Sequence, residues 1–297
     1  MKAFVTGAAG FIGSNLVDRL LAAGHQVTGF DNLSTGFRRF LEGALANSRF
    51  RLVEGDLTDA TAVTDAMAGA DFVFHLAANR DLPSYPEHPR RDLEQNTIVT
   101  WNVLEAMRAT GARRIAFAST ASVYGEPPIV PTPEDAPFPV QTSVYGASKV
   151  AAEGMINAYV TAFGFQAYIF RFGPVMGERC THGSVVDFYR QLIAHPERLD
   201  LPADGRQWES CLYVQDLIDA ILLATERCTL ALNVFNLGTD ENCQVNDSSG
   251  ADGGPFLLLD CARMRSLGWK PRLAIAEGVN RTLEFLRENP WLLEARR

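Results

Sequence analysis

The chain is short of cysteine and of positive charge, and it lacks any long apolar run. Its five cysteines, Cys180, Cys211, Cys228, Cys243 and Cys261, are scattered, and no two form a C-x-x-C pair. An odd number without metal-ligand spacing argues against a disulfide framework and against a zinc site. No metal is expected, and a reducing, cytoplasmic setting fits best. Lys and Arg number 27 against 35 Asp and Glu, a net charge of -8. The basic footprint that a nucleic-acid partner requires is therefore missing. No stretch reaches the roughly 18 consecutive apolar residues of a membrane span. Glycine follows Met1 too soon for a secretory leader. Neither nucleic acid nor membrane is expected as a partner.

What is present suffices for a large core: 297 residues, 47% of them hydrophobic. The first half alternates β-branched or aromatic runs with helical spacing. Strands are expected at 3–6, 26–30, 50–54, 72–76, 114–118 and 167–172. Helices are expected at 14–23, 60–67, 93–110 and 145–163. Strands and helices in alternation, joined by short turns, predict an α/β fold: a doubly wound parallel sheet of Rossmann type, covered on both faces. After residue 172, proline, glycine and charge become frequent and the elements shorten. Helices are expected at 185–194, 215–225 and 278–286 and a strand at 231–237. This divides the chain into a dinucleotide-binding domain, 1–172, and a smaller, partly interleaved lobe, 173–297, whose segments around 211–237 return to the sheet. The Ser/Gly-rich stretch 248–255 reads as a surface loop.

Gly7-Ala8-Ala9-Gly10-Phe11-Ile12-Gly13 lies between the first strand and the first helix. There a dinucleotide pyrophosphate meets helix N–H groups. Gly7 permits the tight turn, Gly10 the approach of phosphate, and Gly13 the packing of helix on strand. A glycine-rich turn also arises for packing alone, so the second strand matters. It leads into Asp31, 24 residues after Gly7. A carboxylate there accepts hydrogen bonds from adenosine ribose and repels a 2′-phosphate, which favours NAD over NADP. Arg38 and Arg39 lie nearby but read as solvated charge. Asp56-Leu57 after the third strand is suited to the adenine. Leu76-Ala77-Ala78 after the fourth offers small residues where a cofactor passes close to backbone.

Tyr145-Gly146-Ala147-Ser148-Lys149 places tyrosine and lysine on one helix face. A free phenol titrates near 10, and bringing it to about 7 takes roughly 4 kcal/mol. An ammonium about 4 Å away supplies about that at an effective dielectric near 20. The phenolate can then take a proton from a hydroxyl while hydride leaves the same carbon. The spacing is common by chance. Here it follows a strand that runs into Ser119-Thr120-Ala121-Ser122-Val123-Tyr124-Gly125, whose hydroxyls can bind the reacting oxygen.

Taken together, these residues resemble the extended short-chain dehydrogenase/reductase family. The likeness is greatest to its NAD-dependent nucleotide-sugar epimerases of the UDP-glucose 4-epimerase type. Its markers are the glycine loop, Asp31-Asn32-Leu33-Ser34-Thr35-Gly36, Gly55-Asp56-Leu57, His75-Leu76-Ala77-Ala78, Asn96, residues 119–125, residues 145–149, Arg171-Phe172 and Leu212-Tyr213-Val214-Gln215-Asp216. The resemblance implies Tyr145 as base, Thr120 as hydroxyl-binding residue, and Lys149 as holder of both Tyr145 and the nicotinamide ribose. It implies a cofactor set of Gly7, Gly10, Phe11, Ile12, Gly13, Asp31, Asn32, Ser34, Thr35, Gly36, Asp56, Leu57, Leu76, Ala77, Ala78, Asn96, Ser119, Tyr145, Lys149 and Phe172. It implies substrate contacts from Thr120, Ser122 and Tyr145, with NAD as cofactor, a UDP-sugar as substrate, and a homodimer joined through helices 93–110 and 145–163. Two further substrate contacts are read from position alone. His182 lies on a loop expected to border the substrate but is equally readable as a capping or surface histidine, and Arg179 is a replacement charge or a surface arginine. The reaction implied is redox-neutral: the 4-hydroxyl is oxidised, the keto sugar turns over, and the hydride returns on the other face. Related dehydratases carry an acidic pair after the threonine. Ala121 and Ser122 stand there instead, which favours epimerisation.

The second half departs from the family pattern. Pro174 replaces a substrate-contacting asparagine, and Glu209 stands where a phosphate-binding arginine or lysine is usual. A carboxylate beside a diphosphate repels it. A helix and strand normally follow Val245-Asn246-Asp247, and here 248–255 leads directly into 256–259. Arg179, Arg206 or Arg263 are possible replacement charges. Trp101 and Trp208 read as packing residues. Two alternatives stay open: an NAD-dependent dehydrogenase or epimerase of a hydroxyl substrate lacking the diphosphate, and a non-enzymatic NAD-sensing scaffold, against which Thr120, Tyr145 and Lys149 argue.

Overall fold

The structure is a computed structural model that describes residues 1–78, 88–137, 140–200, 208–239, 243–244 and 256–294. The chain begins β1 (Lys2–Thr6), α1 (Phe11–Ala22), β2 (Gln26–Asp31), α2 (Glu42–Leu45), β3 (Phe50–Glu54), α3 (Ala60–Met67) and β4 (Phe72–His75). Then follow α4 (Pro89–Asp92), α5 (Val99–Thr110), β5 (Arg114–Ala118), α6 (Val144–Phe163) and β6 (Gln166–Phe172). Seven strands, β10 (Leu232–Leu237) among them, form one sheet in the order β10-β6-β5-β4-β1-β2-β3. Every pairing in it is parallel. The strand order reverses between β1 and β4, and it is outside the carboxyl ends at such a switch point that ligands bind.

The inner strands are apolar on both faces because helices cover both faces, whereas the edge strand β3 leaves Arg51 and Glu54 exposed. Phe72 and Phe74 pack towards α1, with its Leu16, Val17 and Leu20, and towards Leu217, Ile218 and Ile221 of α8 (Val214–Arg227). Val73 between them faces the opposite layer, with Val103, Leu104 and Met107 of α5 and Ile156 of α6. Each such side chain contributes roughly 1.5–3 kcal/mol on full burial. Asp59 caps α3 by accepting from the Thr61 and Ala62 N–H groups. Ser143 caps α6 by accepting from Gly146 N at 3.0 Å.

The second half adds β7 (Val175–Met176), α7 (Ser184–Ala194), β8 (Trp208–Glu209) and β9 (Leu212–Tyr213) before α8 and β10. It ends with β11 (Cys243–Gln244), β12 (Phe256–Leu257), α9 (Ala262–Ser266) and α10 (Ile275–Glu288). β10 lies beside β6 on the main sheet, whereas β9 pairs with β7 in a separate ribbon. β8 is paired by β11 and β12 in a small sheet.

Two expected boundaries change for a physical reason. The first helix starts at Phe11, within the glycine loop, not at residue 14. The expected helix 93–110 is not uniform: Leu93–Ile98 is a π-turn ahead of α5. Within it the apolar Leu93 and Ile98 are exposed and the buried residue is Asn96, so apolar spacing does not mark the turn. Turns of this kind are frequent at functional sites. The stretch 248–255 lies outside the described residues.

Candidate active site

The glycine loop joins β1 to α1 at the switch point. Gly7 has φ +68°, and a Cβ there would sit 2.8 Å from Ala77 N. A Cβ on Gly13 would lie 2.0 Å from Gly7 O, so only glycine lets α1 approach the loop. A Cβ on Gly10 would meet Gly7 O at 3.2 Å and no other atom within 4 Å. That face is open, and the first-turn N–H groups of Phe11, Ile12 and Gly13 lie beyond the reach of helix carbonyls. The residues present thus fit a dinucleotide pyrophosphate.

Asp31 ends β2 only 8% exposed, with Oδ2 accepting from Ala9 N at 2.9 Å and Oδ1 from Leu33 N at 2.8 Å. Asn32 donates to Asp56 at 2.8 Å and accepts from Ser34 N and Oγ. Burial works to raise the Asp56 carboxyl, but the Thr58 backbone, the Thr58 hydroxyl and Asn32 hold it below its ordinary value. Thr35 is exposed, and Gly36 is buried against Ala9. Leu57 is buried. Arg38 pairs with Glu54, and Arg39 lies over the Trp291 ring at 4.9 Å. Both cations that follow β2 are therefore engaged with other side chains.

Behind the crevice runs a polar chain that the apolar strand pattern hid. Thr6 Oγ1 accepts from Leu76 N and Ala77 N, each at 3.2 Å, and meets His75 Nδ1 at 2.7 Å. Ala78, next in line, is exposed. His75 Nε2 meets Thr100 Oγ1 at 3.0 Å, and Thr100 donates to Asn96 O. Asn96, in the π-turn, donates to Ser148 Oγ at 3.0 Å, and Ser148 donates to Tyr145 O at 2.8 Å. Burial, with Lys149 nearby, pulls His75 down to about 3, so its ring is neutral.

Tyr145, half-buried, stands in the first turn of α6, and Lys149 follows one turn later, 2% exposed. Lys149 Nζ donates to Ala118 O at 3.0 Å and lies 4.7 Å from the Phe117 ring centroid. Burial draws its ammonium down to about 7, and the charge of Glu153 opposes this. Thr120 caps a 3-10 turn, accepting from Ser122 N at 3.1 Å and donating to Ser122 Oγ at 3.2 Å. Ser119 donates to Glu153, which Arg171 clamps at 2.6 Å. Phe172 is half-buried at the end of β6.

The loop residues are placed differently. Arg179, at φ +70°, donates to Asp18 on α1 at 2.7 Å. His182 is exposed, with Nδ1 3.0 Å from Thr181 Oγ1. Arg263 pairs with Glu134 at 3.3 Å and Asp135 at 3.6 Å. Pro174 O accepts from Leu212 N at 3.0 Å, which starts the β7–β9 ribbon. Arg206 and the side chains of Trp208 and Glu209 lie outside the described residues. Glu153 and Thr6 were not singled out in the sequence. Their signal is polarity inside otherwise apolar elements.

The sequence matches the NAD dependent epimerase/dehydratase family over residues 3–238. It is 35% identical to a UDP-glucose 4-epimerase of Mycolicibacterium smegmatis, covering 97% of this chain and 99% of the relative. That alignment runs over 312 positions against a chain of 297, so the relative carries residues that this chain lacks. A UDP-glucose 4-epimerase from Thermotoga maritima, solved with UDP-glucose, superposes with a TM-score of 0.86 at 30% identity over 98% of this chain and 100% of that one. A dTDP-glucose 4,6-dehydratase from Streptomyces venezuelae, solved with NAD, gives 0.89 at 26% identity over 99% of both chains. With the glycine cradle and the Tyr145–Lys149 pair on this sheet, the chain belongs to the NAD dependent epimerase/dehydratase family and is an NAD-dependent enzyme of the extended short-chain dehydrogenase/reductase type.

Proposed function

We propose that the protein inverts C4 of a UDP-linked sugar through a transient 4-keto sugar. The observation that carries this reading is the meeting of three features at one rim of the sheet. They are the open glycine cradle, the Thr120 hydroxyl, and Tyr145 one turn before the buried Lys149. NAD held on the glycine loop 7–13 and Asp31 would supply reversible hydride transfer at C4. Tyr145 takes the 4-hydroxyl proton and later restores it. Thr120 and Ser122 hold the reacting oxygen: the Thr120 hydroxyl donates a hydrogen bond to Ser122 Oγ, which leaves the Ser122 O–H to donate to the sugar. Lys149 stabilises the phenolate and reaches the ribose, with Asn96 and Ser119 behind it. The named relatives act on UDP-glucose, which supports the UDP-sugar assignment. Ala121 and Ser122 supply no acid to expel water, which weighs against dehydration. Residues 1–172 serve the cofactor and 173–297 the sugar nucleotide, with His182 at its border. Arg179 would have to leave Asp18 to join it. We assign the protein to the cytoplasm as a homodimer packed through α5 and α6.

A second reading has its own support: a hydroxyl substrate without the diphosphate. Pro174 and Glu209 replace usual contacts, and Arg263 is spent on Glu134 and Asp135. A thermal-shift panel of UDP, UDP-sugars and other nucleotides separates the two. A ligand at a hundred times its dissociation constant adds about 2.7 kcal/mol of stability. Interconversion of UDP-glucose and UDP-galactose together with such a shift is expected. No response to any nucleotide would leave only the second reading.

A further inference from the structure

The chain contains three lysines, Lys2, Lys149 and Lys270. Two are exposed, and Lys149 alone is buried. An ammonium carries three donors and needs strong acceptors once it leaves water. Among the described residues, the hydrogen-bond partner of Lys149 is the neutral Ala118 carbonyl, with the Phe117 ring beside it. Those two do not offset desolvation: burial brings the ammonium down to about 7 even with the Glu153 charge opposing it, and it would fall further without that charge. A neutral amine would do little for a phenolate.

One turn beyond Lys149 on the same buried stripe is Glu153, 6% exposed. Its carboxylate accepts from Arg171 Nη2 at 2.6 Å and Nε at 3.0 Å, and from the Ser119 hydroxyl. Arg171 is anchored in turn by the Tyr124 hydroxyl at 2.8 Å and the Glu134 carbonyl at 3.0 Å. Tyr124 donates to Asn236 on β10 at 2.7 Å. The carboxylate is thus fixed from β5, β6 and β10, and cannot swing onto the amine. The other groups facing this region do not raise the ammonium. His75 on β4 is neutral, burial pushes the Tyr124 phenol up, and Arg171 is itself a cation. Asp92 lies beyond Asn96, which contacts Ser148. Burial also raises Glu134, which accepts from Asn236 N and pairs with Arg263.

We propose that Glu153 is a positioning residue for the reaction: clamped by Arg171 and Ser119, it keeps Lys149 cationic and through it sets the acidity of Tyr145. The inference rests on Tyr145 as the proton acceptor, but its test needs no turnover.

The test is a tyrosinate absorbance titration of the purified protein carrying NAD, with the Tyr145→Phe trace subtracted. In Glu153→Gln, the Tyr145 titration should move up by about one pH unit or more, the scale on which a nearby opposite charge acts. The acid limb of the sugar-turnover profile should move with it. Removing a carboxylate that acted on Tyr145 directly would move the titration down, and a purely structural role would leave it in place. Either result overturns the proposal. The double variant Glu153→Gln/Arg171→Met removes the stranded guanidinium and guards against misfolding. It should stay displaced upward, and a return to the wild-type titration also overturns the proposal. Glu153→Asp, which keeps the charge, should recover most of the native value. If the titrations behave as expected but no sugar nucleotide turns over, the functional reading fails and this one stands.

Discussion

Asp31 accepts the Ala9 N–H at 2.9 Å, so the carboxylate that ends β2 also pins the glycine loop. A hydrogen bond to a charged group contributes about 1.5–3 kcal/mol. Asp31→Ala should therefore weaken NAD by roughly tenfold or more, and should relax the rejection of NADP. Binding titrations with both cofactors check this. An unchanged preference would show that neighbouring residues make the discrimination.

Tyr145→Phe removes one oxygen from the first turn of α6 and leaves its packing. Turnover should fall by about 10²–10⁴-fold, the range for losing a general base, while NAD binding stays within about twofold. Isomerisation rate and cofactor content, measured on the same sample, test it. Surviving activity would move the base elsewhere.

His75 gives a pH dependence with a definite sign. Its folded value is pulled down to about 3, whereas the unfolded ring takes a proton near 6.5. Between these limits the unfolded chain binds more protons, so stability falls as pH drops below about 6.5. At pH 5 the loss from this one group is about 2 kcal/mol. Urea unfolding of wild type and His75→Gln at pH 7 and pH 5 should show their stability difference shrinking by that amount. Parallel profiles would mean the buried ring takes up its proton.

Leu93, Ile98 and Trp101 are 50%, 41% and 44% exposed on the π-turn and α5, and Phe163 at the end of α6 is 43% exposed. Paired helices would cover them. Light scattering should give twice the 32.6 kDa chain mass, and Trp101→Arg should halve it. A native monomer would remove the dimer from the proposal.

The first half of the fold was legible because its strands centre on short apolar runs, such as Ala3-Phe4-Val5, Phe72-Val73-Phe74 and Ile115-Ala116-Phe117, which a doubly covered sheet buries. The glycine loop was equally plain, since Gly7 and Gly13 answer to backbone geometry that few other residues satisfy. The π-turn at Leu93–Ile98 was not, because its buried residue is the polar Asn96 and its apolar Leu93 and Ile98 face outward. The two-residue strands β7, β8, β9, β11 and β12 carry no period at all. Glu153 was hidden in another way. Four residues after a lysine, it looks like an ordinary helix pair, and only the fold brings Arg171 to it. Arg179 ran the opposite course, since nothing local announces that it will reach back to Asp18.

The outermost strand of the main sheet, beside β6, is β10, whose first residue follows the last of β6 by 60 positions in the chain. During synthesis the inner strands leave the ribosome first, and the β6 rim stays bare until Leu232–Leu237 emerges. At about 5–20 residues per second that wait lasts roughly 3–12 seconds. Throughout it the nascent chain presents an open row of backbone donors and acceptors, the hazard for which chaperones exist.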